Sequence, residues 1–148
     1  MIGNGGNASR VLTEEIIATR EKTLAAHLDG ETRKDVEAVL ATFGGEPTYE
    51  LVTIGKVVHG RDEVRRFLQT FFDSMGPNAH AAQAFHHTDD ATIVEVETTF
   101  PDGFDGQQTG QEIRVQTVGI FPFDGDRLLV EKLYADMSPL LPYLDFLQ

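Results

Sequence analysis

The hydrophobic period of the chain changes at Gly76-Pro77, and no other feature constrains the fold as much. Before this dipeptide, apolar residues recur every three to four positions. After it, they alternate. "HAAQAFHH", "ATIVEVETTF", "QEIRVQTVGIFPF" and "RLLVEKLYAD" read as four strands in succession. Asp89-Asp90 is a tight turn between them, "PDGFDGQQTG" a longer loop, and Asp124-Gly125-Asp126 a second turn.

Helices precede the switch. Residues 11–28 carry Leu12, Ile16, Ile17, Leu24 and Leu28 at helical spacing. Thr13, with Glu14 and Glu15 behind it, is a start signal, and Asp29-Gly30 reads as the stop. Residues 33–43 form a shorter helix with Val36, Val39, Leu40 and Phe43 on one face, ended by Gly44-Gly45. "TYELVTI" is a strand. "GRDEVRRFLQTFFDSM" is the strongest helix, with Val64, Phe67, Leu68, Phe71, Phe72 and Met75 on its buried face and Asp62 and Glu63 in its first turn. The tail "SPLLPYLDFL" reads as a short helix across the mouth of a pocket. Helices followed by antiparallel strands predict an α+β fold, with the helices covering one face of a strongly curved, mostly antiparallel sheet. A concave sheet of this kind leaves a pocket at its open end, the default place for a ligand.

Composition narrows the partners. The formal net charge of −12 argues against nucleic acid and anionic membrane, which need clustered Lys and Arg. The chain has no cysteine, which excludes disulfides, thiolate catalysis and Cys-based metal sites and fits a cytoplasmic protein. No apolar run approaches the roughly 18 residues of a membrane span. Residues 1–10, rich in Gly and Asn, read as a flexible arm, and 11–148 as one domain.

"VVHGRDEVRRFLQTFF", "QTGQEIRV", "VGIFPFDGDRL" and "LYADMSPLLPYL" resemble the SnoaL-like and limonene-epoxide-hydrolase-like members of the nuclear transport factor two-like superfamily, from about Leu24 to Leu144. The resemblance implies a cone-shaped sheet wrapped around the N-terminal helices, a deep apolar cavity and homodimers packed through the outer sheet face. It also implies hydrophobic small-molecule ligands such as terpenes, steroids and polyketides. The fold hosts many activities, so it does not choose one.

Matched to the epoxide hydrolases, the Arg and Asp of the catalytic strand fall on Glu97 and Thr99, and the last-strand Asp falls on Leu133. That mechanism is therefore not expected. The supporting polar position of the cyclases and isomerases falls on Gly119, and the isomerase base falls near Glu50 or Leu51. Tyr49 matches a ligand-orienting tyrosine. The resemblance thus leaves Glu97 as general base and Tyr49 as orienting donor, with His27, Thr99, Gly119, Phe121 and Leu133 lining the cavity.

Strand parity alone disagrees about Glu97. It assigns Val94 and Val96 to the core and Glu95 and Glu97 to solvent. The resemblance reverses that, turning Glu97 inward and burying the valines between subunits. Glu50 faces away from Tyr49 and reads as exposed. His86 and His87 point to opposite faces and cannot share a metal, and His59 and His80 read as surface residues, so neither a metal nor a cofactor is expected. Asp136 reads as a cap for the tail, and "PDGFDG" as a mobile loop at the pocket mouth. Three functions fit: acid–base catalysis of the isomerase, cyclase or lyase kind, ligand binding or carriage without chemistry, and a protein-interaction module.

Overall fold

The computed structural model describes residues 12–106 and 110–144. The arm at 1–10 lies outside the described residues. Three helices, α1 (Glu14–Thr32), α2 (Val36–Ala41) and α3 (Arg61–Ser74), pack on one face of a curved, unclosed six-stranded sheet. The strands are β1 (Phe43–Leu51), β2 (Lys56–His59), β3 (Ala79–His87), β4 (Ala91–Phe100), β5 (Ile113–Asp124) and β6 (Arg127–Ala135), in the spatial order β2-β1-β6-β5-β4-β3. Only β1 and β6 run parallel; the other pairings are antiparallel. The α+β class read from the sequence is the class observed.

Thr13 starts α1 as expected, its hydroxyl accepting the Ile16 N–H at 3.1 Å. The stop at Asp29-Gly30 is corrected: α1 continues one turn to Thr32. Gly30 is there for close packing instead. A Cβ on it would lie 3.0 Å from Val39 Cγ2 and 3.2 Å from the Val39 nitrogen, so any side chain there would press α2 outward by a few tenths of an ångström. The Gly44-Gly45 stop is corrected as well. α2 ends at Ala41, and both glycines lie inside β1, where the Gly44 carbonyl accepts from Arg127 at 2.7 Å.

The inward face of α1 is partly polar: its buried residues are Arg20, Leu24, His27 and Gly30. Arg20, 1% exposed, donates to the carbonyls of Gly125 at 2.8 Å, Thr88 at 2.7 Å and Asp89 at 2.8 Å. Its guanidinium also lies 5.0 Å from the centre of the Phe123 ring. One side chain therefore ties α1 to the turns of both the β3–β4 and the β5–β6 hairpins. α3 seals the cavity side, with Val64, Leu68 and Phe72 buried.

The loop after β4 is pinned where it is described. Phe104 is fully buried against Phe100 at 5.2 Å and Tyr143 at 5.5 Å between ring centres, and its carbonyl accepts from the Gly76 N–H. The expectation of a mobile "PDGFDG" loop is corrected for this reason. Asp136 caps the tail as read, accepting the Ser138 N–H at 3.0 Å, and the tail forms a short 3-10 turn at Leu141–Tyr143. Among the described residues, no helix is long and apolar enough to cross a membrane.

Candidate active site

The inner face of the sheet, α3 and the tail line a pocket that is open to solvent on one side. Phe67, Leu68, Phe71, Phe72 and Met75 of α3 face Val96, Phe100, Val115, Gly119, Phe121 and Leu133 of the sheet, and Met137 and Leu140 of the tail complete the wall. Six polar residues reach this wall: Glu31, Tyr49, His80, Thr98, Thr117 and Glu131.

Four side chains from three elements converge at one end. Tyr49 of β1 and Glu131 of β6 are register partners on neighbouring strands, and both are 2% exposed. His27 of α1, fully buried, lies against them. Its Nε2 is 2.8 Å from Glu131 Oε2 and 3.0 Å from the Tyr49 hydroxyl. Its Nδ1 is 2.7 Å from Thr42 Oγ1, and that hydroxyl donates to the Val39 carbonyl. Thr42 must therefore accept, so Nδ1 carries a proton and Nε2 is the nitrogen turned to the site. Glu31, one helical turn beyond His27, accepts from the Tyr49 hydroxyl at 3.1 Å and lies 3.5 Å from His27 Nε2.

The electrostatics follow from burial and pairing. Burial alone would push the His27 imidazole down, but Glu131 and Glu31 outweigh it and raise its pKa to about 10. Burial pushes the Glu131 carboxyl up, and the Glu31 charge adds to this, against the pull of His27. Glu31 moves the other way: burial opposes its ionisation, yet hydrogen bonding and charge from His27 hold it below the usual carboxylate range. Burial and the two glutamates raise Tyr49 well above 10, so its phenol stays protonated and remains a donor. His27, Glu31 and Glu131 also present donor atoms within 4.8 Å of one another. A metal ion could bind them only by replacing the His27 hydrogen bonds that already join them.

Two expected site residues are misplaced. Glu97 and Thr99 lie on the outer face of β4, while Thr92, Val94, Val96, Thr98 and Phe100 are the buried set. Glu97 accepts from the Gln116 amide at 2.6 Å and has Arg114 at 3.7 Å, and its side chain keeps 26% of its surface exposed. It is not a cavity base, and Thr99 is not a lining residue. Strand parity was right: the alternate residues that include Val94 and Val96 are the ones buried in the core. His80 is corrected in the opposite sense: it lines the cavity, with Nδ1 2.7 Å from Thr98 Oγ1. Tyr49, Gly119, Phe121 and Leu133 line the cavity, and His27 stands directly behind it. Glu131 and Glu31 were missed. Glu131 is two residues before Leu133 on one strand and so shares its inward face. Glu31 is four residues after His27 and shares its helix face, a pairing hidden by the stop read at Asp29-Gly30.

Comparison with known proteins bears on the family and the fold. The family model for a SnoaL-like domain matches residues 24–131. No curated protein sequence matches the chain. Solved structures do, at identities that speak for the fold alone. An NTF2-like protein of unknown function from Burkholderia pseudomallei K96243 superposes with a TM-score of 0.70 at 16% identity, covering 86% of this chain and 98% of its own. A protein assigned as a SnoaL-like polyketide cyclase from Jannaschia sp. CCS1 gives 0.68 at 15% identity, covering 90% and 96%. A protein of ketosteroid isomerase-like fold from Catenulispora acidiphila DSM 44928, in complex with trimethylamine, gives 0.67 at 16%, covering 89% and 93%.

Proposed function

The chain belongs to the SnoaL-like domain family, and from that premise we propose that it binds a polyketide-, steroid- or terpene-like molecule in its cavity and moves a proton on it, as an isomerase, cyclase or lyase. One observation carries the reading. Glu131 is a buried carboxyl group, hydrogen-bonded to His27, in the wall of a cavity lined mostly by apolar side chains. A desolvated carboxylate is a stronger base than a solvated one, and burial raises the pKa of Glu131.

In this scheme Glu131 takes the proton from a carbon beside a substrate carbonyl. The C–H electron pair moves into the enolate, and the carbonyl oxygen gains the negative charge. The Tyr49 hydroxyl exchanges its Glu31 acceptor for that oxygen and stabilises it. Glu131 then returns the proton to a different atom. His27 is a positioning residue that holds Glu131 through a 2.8 Å contact. The trimethylamine bound by the Catenulispora protein supports a small-molecule ligand, and the polyketide-cyclase assignment of the Jannaschia protein supports the ligand class.

The test needs no knowledge of the natural substrate. 2-Tetralone in D2O reports α-proton exchange by NMR. Wild-type protein is expected to accelerate exchange over buffer, Glu131→Gln to lose at least about a hundredfold of that acceleration, and Glu97→Gln to keep it. Acceleration that survives in Glu131→Gln would remove Glu131 from the chemistry.

A second reading, binding or carriage without catalysis, is favoured by the apolar wall at Gly119 and Leu133, where the resemblance puts polar groups in enzymatic relatives. Saturable binding of 2-tetralone with no acceleration of exchange selects it. A homodimer through the outer sheet face is part of the proposal. Its support is the register pair Val118 and Tyr134, 38% and 41% exposed on neighbouring strands of that face.

A further inference from the structure

Glu31 is bonded through one of its two oxygens. It stands in the last turn of α1 and lines the cavity, with 12% of its side chain exposed. The Tyr49 hydroxyl at 3.1 Å and His27 Nε2 at 3.5 Å both approach Oε1. Among the described residues, no donor reaches Oε2. Burial opposes ionisation of this carboxyl, but His27 holds it below the usual carboxylate range, so it carries its charge at neutral pH. The wall supplies no further cation. None of the described lining residues is Lys or Arg, and the second carboxyl, Glu131, has a donor atom within 4.8 Å.

The proposed reaction deepens this shortage. When the Tyr49 hydroxyl turns to the substrate oxygen, Glu31 keeps only the 3.5 Å contact with His27. Stripping a donor from a buried carboxylate is costly. A ligand that takes the Tyr49 bond therefore has to return a donor to Glu31. An ammonium group is the donor that also matches the charge. The aromatic rings of Tyr49, Phe67 and Phe71 in the same wall tolerate a cation better than aliphatic surface does. A carboxylate ligand would meet two carboxyl groups there.

We propose that the ligand is an amino ketone: an apolar ring system whose carbonyl oxygen takes the Tyr49 hydroxyl and whose protonated amine, beside that carbonyl, takes Glu31. The proposal rests on the roles given to Glu131 and Tyr49 above and adds the substrate class to them. The 3.1 Å between the Tyr49 hydroxyl and Glu31 makes the oxygen and the nitrogen close neighbours on the ligand. A positive charge there also stabilises the enolate as it forms.

Two probes of equal shape test it: 2-(dimethylamino)-1-tetralone, and 2-isopropyl-1-tetralone, in which a C–H replaces the protonated nitrogen. Affinities are read by isothermal titration calorimetry at about pH 6, below the ordinary range of an amine beside a carbonyl. The proteins are the wild type, Glu31→Gln, Glu31→Asp and Glu97→Gln, with circular dichroism to confirm folding. The wild type is expected to bind the amine at least about tenfold tighter than its isostere. Glu31→Gln should bring the two probes to equal affinity. Glu31→Asp, which keeps the charge but shortens its reach, should lose part of the preference and serves if the glutamine variant does not fold. Glu97→Gln removes one charge from the outer sheet face and should keep the full preference, which separates Glu31 from general attraction to an acidic protein. Equal affinity for the wild type, or a preference undiminished in the Glu31 variants or lost in Glu97→Gln, overturns the amino ketone. The cavity reading then survives, since the exchange of 2-tetralone tests it separately. Failure of both probes to bind the wild type overturns the two together.

Discussion

His27 and Glu131 set each other's protonation, and that coupling has a sign. The folded-state pKa of His27 is about 10, above its ordinary value of 6.5. Between those values the folded protein binds more protons than the unfolded chain, so stability falls as pH rises. The raised carboxyl of Glu131 acts in the same direction, losing its contribution as pH climbs through its own elevated value. Glu31, held low, acts in the opposite direction and only in acid. The melting temperature of the wild type is therefore expected to drop steadily from about pH 6.5 to pH 10. Glu131→Gln, which removes the main partner of His27, should flatten the slope. An unchanged slope in that variant would assign it to other groups. Arg20 makes a second residue-scale case. Arg20→Met strips donors from the carbonyls of Gly125, Thr88 and Asp89. The loss should be about 2–3 kcal/mol by urea unfolding. Arg20→Lys should recover less than half, because an ammonium cannot fork between two hairpin turns.

At the scale of the element, α1 and β4 explain what could and could not be read from the chain. The start of α1 was legible because Thr13 caps locally. Its end was not, because Gly30 serves a contact with Val39 that no local rule encodes. That one misreading separated His27 from Glu31 and concealed the second carboxylate of the α1 face. Gly30→Leu tests the packing role: overfilling the α1–α2 contact should destabilise the protein by about 1–3 kcal/mol, despite the better helix propensity of leucine. A stabilised variant would return Gly30 to the role of an ordinary stop. β4 is the reverse case. Its alternation, with Val94 and Val96 buried and Glu95 and Glu97 outward, was fully legible from parity. The error entered when a catalytic position was carried over from distant relatives. Glu131 was legible in principle, since it shares a face with Leu133. A glutamate amid "LLVEKLY" reads as solvent-facing unless the inward residues of the strand are known first.

For the whole molecule, the sequence revealed the succession of four strands because each hairpin is local. The parallel pairing of β1 with β6 joins segments far apart in the chain, and it leaves no local trace. Yet that pairing brings Tyr49 beside Glu131 and so creates the site. The outer face of the sheet carries the remaining prediction. Val118→Glu, placed opposite Tyr134, should convert a dimer to a monomer in light scattering, with far-UV circular dichroism unchanged. A wild-type monomer at micromolar concentration would refute the assembly. The crowding at Gly119 reaches furthest. A Cβ there would lie 2.5 Å from the ring of Phe121, which is 1% exposed and packs edge-on against His27 at 5.9 Å. A side chain at position 119 requires the far edge of the Phe121 ring to move, and that ring packs against His27, so a change at Gly119 is felt at the His27–Glu131 pair.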